Sequence, residues 1–145
     1  MYNISATVNQ AARQGARAAV QPPCGSCSTA WDPAAILSAV DAAVTNVLQA
    51  DRLDPTQVTG PTAAPAPNDC STTITATCAT TSHNISVCRN ALLTPPTVTP
   101  AVCGVMVQFT YKLDLPQITM PFGRGTQGIL PQPQIAGRAQ MAVEQ

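Results

Sequence analysis

The sequence predicts an α+β domain: two N-terminal helices packed on one face of an antiparallel sheet of about four strands, stapled by disulfides. Three observations predict it. Apolar residues recur at helical spacing through roughly the first 52 positions. Beyond residue 70 they recur at every second position, as strands require. Six cysteines accompany an aromatic content of only 3%. A core drawn mostly from Ala and Val buries little area per residue, at about 25 cal/mol per Å² of apolar surface. Disulfides, typically worth roughly 2–4 kcal/mol each, make up such a deficit. At 145 residues the chain is read as one domain spanning 1–145.

The first helix is expected from about Tyr2 to Val20, ending before Pro22-Pro23, which cannot continue it. At about 100° per residue, Ile4, Val8, Ala11 and Gly15 share one narrow arc, and Arg13 and Arg17 point away from it. Glycine inside a helix costs roughly 1 kcal/mol relative to alanine, so Gly15 asks for a packing reason. Ile4, Val8, Ala11 and Gly15 are therefore taken as the packing face. Asp32-Pro33 makes a good helix start, with the aspartate as cap and the proline at the first helical position. From there Ile36, Val40, Ala43, Val44, Val47 and Leu48 repeat at helical spacing, predicting a second helix over about 33–52. Asp41, Thr45, Gln49 and Arg52 fall on its other side.

Residues 55–69 are rich in Pro, Thr and Ala and read as a loop, with at most a short strand around Val58. Ile74, Ala76 and Cys78 alternate with threonines as a first strand of the sheet, and Ile85 and Val87 mark a second after a turn near Ser82-His83-Asn84. The clearest strand is Cys103 to Leu113, whose odd positions are apolar, as a half-buried strand requires. Residues 116–133 form a long irregular loop. A last strand, from about Gln134 to Glu144, sets Ile135, Gly137, Ala139, Met141 and Val143 against Arg138, Gln140 and Glu144.

Six cysteines in a small, proline-rich chain point to an oxidising compartment. Cys24 and Cys27 are expected to close a tight structural disulfide between the helices. Cys70, Cys78, Cys88 and Cys103 are expected to form two cross-strand disulfides, for which three connectivities are possible. Pairing Cys78 with Cys88 would close the hairpin around His83 and leave Cys70 with Cys103. Pairing Cys70 with Cys78 is disfavoured if one continuous strand holds both, since eight residues at about 3.3 Å each exceed disulfide reach.

Other chemistry finds little support. Cys24-Gly25-Ser26-Cys27 resembles a redox dithiol, but no strand precedes it and the next helix begins five residues later. A periplasmic thiol-disulfide oxidoreductase using Cys24 and Cys27 is the alternative in the enzyme class. The spacing of the remaining cysteines does not suit a zinc site, and the lone His83 is expected to be exposed in its turn. One histidine leaves little room for a Ser/His/Asp arrangement. Asp51 and Asp54 are read as helix-end capping residues. No catalytic residue, metal or cofactor is expected. Seven Lys+Arg balance seven Asp+Glu without a basic patch, which argues against nucleic acid. No apolar run approaches the roughly 20 residues that span a bilayer, and residues 1–20 hold no secretory signal, so export is expected to depend on sequence outside this chain.

Ala11-Ala12-Arg13-Gln14-Gly15-Ala16-Arg17 resembles the "AAREGAR" segment of TadE-like proteins, the minor pilins of tight-adherence (Tad) pili, with glutamine in place of the usual glutamate. Leu53-Asp54-Pro55 with Val58, and the closing Ile135 to Glu144, resemble that family's turn after its second helix and its last strand. The resemblance implies a non-enzymatic subunit of a Tad-type type IV pilus, acting in assembly, adherence and biofilm formation. It implies that residues 1–21 continue a membrane-anchoring helix lying upstream, first in the inner membrane facing the periplasm and then in a cell-surface pilus. The implied partners are other pilins and the assembly machinery. A secreted or virion structural protein unrelated to pili would share the disulfides and the Thr/Pro-rich loops.

Overall fold

The computed structural model describes residues 3–20, 33–61, 68–70, 75–95, 97, 99–114 and 132–142. Two helices lie against one face of an antiparallel sheet, the α+β arrangement that the two periodicities predict. Helix α1 spans Ile4–Val20 and α2 spans Pro33–Ala50. Asn3 caps α1: its side-chain Oδ1 accepts from Ala6 N at 3.3 Å, and its carbonyl accepts from Ala6 N and Thr7 N. At the end of α2, Arg52 adopts a left-handed φ of 61°. Leu53 N then reaches Leu48 O at 2.8 Å and Arg52 N reaches Gln49 O at 2.9 Å, the double closure of a Schellman motif. The helix therefore stops at Ala50, slightly short of the expected position 52.

Asp54 caps a single 3-10 turn, Pro55–Gln57, through its bond from Thr56 N. The strands follow: β1 Val58–Thr59, β2 Thr77–Thr80, β3 Ser86–Leu92, β4 Cys103–Lys112 and β5 Gln134–Ala142. β4 is the centre of the sheet. β5 pairs along one edge of it, Gly104 through Lys112. The other edge is shared: β3 takes Cys103 to Gln108, and β1 takes Thr110 and Tyr111. β2 lies outside β3.

Two expectations need correction. The strand expected from the Ile74–Cys78 run is β2, and it begins later, at Thr77; Ile74 itself lies outside the described residues. β4 is also not half-buried: every residue from Gly104 to Tyr111 is buried. Its odd positions, Val105, Val107, Phe109 and Tyr111, face the helices and join Val8, Ala11, Ala12, Ala16, Val40, Val44 and Leu48 in the main core. Its even positions carry a second, smaller cluster in which Met106 packs with Cys88, Ala91 and Leu93. Gln108 and Thr110 are buried on that same face. The middle of β5 does alternate, with Gly137 and Ala139 buried beside exposed Arg138 and Gln140.

Candidate functional site

Helix α1 carries the Ala11–Arg17 segment, and its packing follows from side-chain size. Val8, Ala11, Ala12 and Ala16 are fully buried, Ile4 is half-buried against the same core, and Gly15 is buried among them. A Cβ at Gly15 would lie 2.8 Å from Val44 Cγ2, 3.3 Å from Val107 Cγ1 and 3.4 Å from Val40 Cγ1. Carbon atoms in contact sit about 3.5–4.0 Å apart, so the hydrogen of glycine is what lets α1 come this close to α2 and β4. Arg13 and Arg17 stand on the exposed side. At the start of α1 the Thr7 hydroxyl donates to Asp51 Oδ2 at 2.6 Å, tying that end to the close of α2.

The same device appears on β5. A Cβ at Gly137 would meet Val8 Cγ1 at 2.9 Å and Phe109 Cζ at 3.0 Å. Val8 thus sits in a notch of the sheet as Val44 sits in a notch of α1.

Four of the six cysteines are placed. Cys78 is bonded to Cys88 and Cys70 to Cys103, with Cα separations of 4.0 Å and 5.5 Å. Of the three open connectivities this is the one that closes the hairpin around His83. Cys24 and Cys27 lie outside the described residues. Two disulfides in one small domain point to an oxidising, extracytoplasmic setting. No helix among the described residues is long and apolar enough to cross a membrane.

His83 lies in its expected turn, and the structure adds a partner for it. It is not simply exposed: its Nδ1 donates to Asp41 Oδ2 at 2.8 Å, and its side chain is 38% accessible against 15% for Asp41. The β2–β3 turn explains the docking. Asn84 N reaches Thr81 O at 3.1 Å, Asn84 takes a left-handed φ of 61°, and Thr81 N reaches Ile85 O at 2.9 Å. That is the three-residue hairpin loop in which a type I turn is followed by a left-handed residue. It presents the tip of the hairpin to the side of α2. Asp41 collects the Ser82 hydroxyl at 3.0 Å and the His83 backbone N–H at 3.2 Å as well. Burial would raise the Asp41 pKa, but hydrogen bonds from Thr81, His83 and Ser82 outweigh it and hold the carboxyl below the ordinary aspartate value.

Ser82, His83 and Asp41 are the residue types of a hydrolytic triad, but not its geometry. Ser82 Oγ lies 3.5 Å from Nδ1, the same nitrogen that faces Asp41, and itself bonds Asp41. A base that activates a hydroxyl needs its second ring nitrogen turned to that hydroxyl. The cluster is a pin between helix and hairpin. Asp54 N also donates to the hydroxyl of buried Tyr111 at 3.1 Å, fastening the segment after α2.

Asp51 and Asp54, read from the sequence as helix-end capping residues, do not cap α2: Asp51 accepts from the Thr7 hydroxyl of α1, and Asp54 caps the 3-10 turn that follows through Thr56 N. Among the described residues, no group of three or more His, Cys, Asp or Glu is arranged to hold a metal ion. Comparisons with protein-family models, with curated proteins and with solved structures each find no match to this chain.

Proposed function

We propose that this chain is a structural subunit of a Tad-type pilus, a TadE-like minor pilin that works by assembly. The observation that carries the reading is the setting of the Ala11–Arg17 motif. Gly15 sits against Val40 and Val44 of α2 and Val107 of β4, with no room for a Cβ, while Arg13 and Arg17 face outward. A helix seated this tightly moves with its domain. An apolar helix joined to the start of α1 at Asn3 would then hold the domain first on a membrane and later on a filament. The extracytoplasmic setting indicated by the two disulfides suits such a subunit.

In this reading α1 is the lever, the sheet is the body, and the surfaces that meet other pilins are displayed around it. Loops carried on a rigid scaffold are where such contacts usually reside. The test has two parts. The coding sequence upstream of Met1 is expected to supply about 20 apolar residues in frame, the length that spans a bilayer. Surface fibres sheared from the native cells are expected to contain this chain, and its deletion is expected to reduce fibres and adherence. Fibres that lack the chain, together with unchanged adherence on deletion, would overturn the reading.

A further inference from the structure

The two described disulfides occupy different surroundings, and the difference assigns them different reactivity. Cys78 is exposed, on the four-residue strand β2, whose described pairing is to β3 alone. Its partner Cys88 is fully buried beside Ala91 and Met106. In the other bond Cys70 is buried and Cys103 half-buried, and the surrounding chain is held from several directions. Asp69 bridges Ala91, Leu92 N reaches Asn68 O at 3.0 Å, and Cys103 is paired to Leu92.

Thiol–disulfide exchange needs an attacking thiolate to reach one sulfur while the other departs. Among these four sulfurs, the exposed residue is Cys78. The departing sulfur would then be that of Cys88, whose apolar surroundings disfavour a thiolate. One contact offsets this: the Ser86 hydroxyl lies 3.7 Å from Cys88 Sγ. A disulfide sulfur has no hydrogen to give, so Ser86 is the donor, and the same O–H can stabilise charge on Cys88 as it leaves.

We propose that Cys78 is the entry point for an external dithiol, with Cys88 as the leaving sulfur and Ser86 as its positioned donor. The thiolate of the dithiol attacks Cys78 Sγ, forming a mixed disulfide as the Cys78–Cys88 bond breaks. Cys88 departs as a thiolate and takes up a proton. The second thiol of the partner attacks the mixed disulfide, freeing Cys78 as a thiol. The protein gains two electrons and two protons, and the dithiol becomes a disulfide. The partner chemistry is that of an exported dithiol oxidoreductase. The proposal does not rest on the pilin reading.

The experiment exposes the intact, folded chain to dithiothreitol for graded times, quenches with acid, alkylates in denaturant and maps the peptides. Cys78 and Cys88 are expected to become free together, about tenfold faster than Cys70 and Cys103. Opening of Cys70–Cys103 first, or of both bonds at one rate, overturns the proposal. Ser86→Ala is expected to slow release of the Cys78–Cys88 pair several-fold and leave the other pair unchanged, with Ser86→Thr restoring the rate. With glutathione as the probe, the mixed disulfide is expected on Cys78; an adduct on Cys88 would show that attack comes from the other side.

Discussion

Gly15→Leu is the substitution that most directly tests how α1 is seated. The first added carbon already falls 2.8 Å from Val44 Cγ2, and Val40 and Val107 close the remaining directions at 3.4 and 3.3 Å. All three valines are fully buried, and the β-branched Val40 and Val44 of α2 have little rotamer freedom in a helix with which to give way. Three more carbons have no space to enter. Overpacking of this kind costs about 1–3 kcal/mol, and four atoms at a contact this tight place it toward the upper end. Removing glycine from a helix interior returns about 1 kcal/mol. The net loss is therefore about 2 kcal/mol. In urea, with all disulfides intact and a slope of about 2 kcal/mol/M, the midpoint should fall by about 1 M with the slope unchanged. Circular dichroism followed against urea reads this directly. Val44→Ala supplies the control, because it deletes Cγ2, the methyl group that crowds Gly15. The double variant should lose less than the sum of the singles by about 1 kcal/mol or more, the coupling expected of touching residues. A Gly15→Leu protein as stable as the parent, or strictly additive costs with Val44→Ala, would refute the close approach argued here.

Three further perturbations test the other fastenings. Asp41→Asn should weaken the hairpin pin by about 1 kcal/mol at neutral pH. Because Asp41 titrates below its unfolded value of about 3.9, its contribution is complete above that pH and is lost as pH falls through the folded value. Unfolding curves for parent and variant should thus converge as pH drops below about 4; an unchanged gap at acid pH would contradict the assignment. Loop entropy ranks the disulfides: with sequence separations of 33 and 10, removing Cys70–Cys103 by paired alanine substitution should cost about 4 kcal/mol and removing Cys78–Cys88 about 3 kcal/mol. Thermal melts showing the reverse order would mean that denatured-state entropy is not what distinguishes them. Tyr111→Phe leaves Asp54 N without its acceptor and should lower stability by about 1 kcal/mol, seen as faster amide exchange at Asp54.

How far the sequence could be read depended on the range of the interaction concerned. α1 and α2 are legible because each presents one apolar stripe to one core, so local periodicity reports burial directly. β5 is legible for the same reason, with Gly137 and Ala139 inward and Arg138 outward. β4 misleads at its even positions. Gly104, Gln108 and Thr110 are small or polar and suggest a solvated face, but their burial is imposed by tertiary cover that their own polarity does not encode. The docking of His83 is invisible for a related reason: Asp41 lies 42 residues away, and neither residue departs from what an exposed turn or helix face would carry. The Cys78–Cys88 pairing is half-legible. Once Thr81 and Ile85 close the turn, each step back along β2 meets one step forward along β3, which brings Cys78 opposite Cys88. The turn residues Ser82-His83-Asn84 were readable, but the register needed the left-handed Asn84 that makes the loop three residues long.

A domain with 3% aromatic residues must find core cohesion without large side chains, and the two glycine notches indicate how this one does so. Val44 of α2 enters the notch at Gly15 of α1, and Val8 of α1 enters the notch at Gly137 of β5 beside Phe109. Each layer is keyed to the next by a valine against a bare Cα. Valine and alanine bury little surface apiece, but bringing the backbones together lets backbone atoms join the dispersion contacts that larger side chains would otherwise supply. The arrangement has a consequence for tolerance to change. In a core built from Leu and Phe, loss of volume is the main hazard, whereas here addition of volume at the close-packed glycines, Gly15, Gly137 and Gly104, should be worse than removal at many positions. The keyed positions also lie in series, α2 to α1 to β5, so a perturbation at Gly15 bears on how α1 sits over the sheet as well as on its contact with α2. If α1 is the lever of a larger assembly, the keys at Gly15 and Gly137 are what make it rigid, and loosening either one should impair assembly before it unfolds the domain.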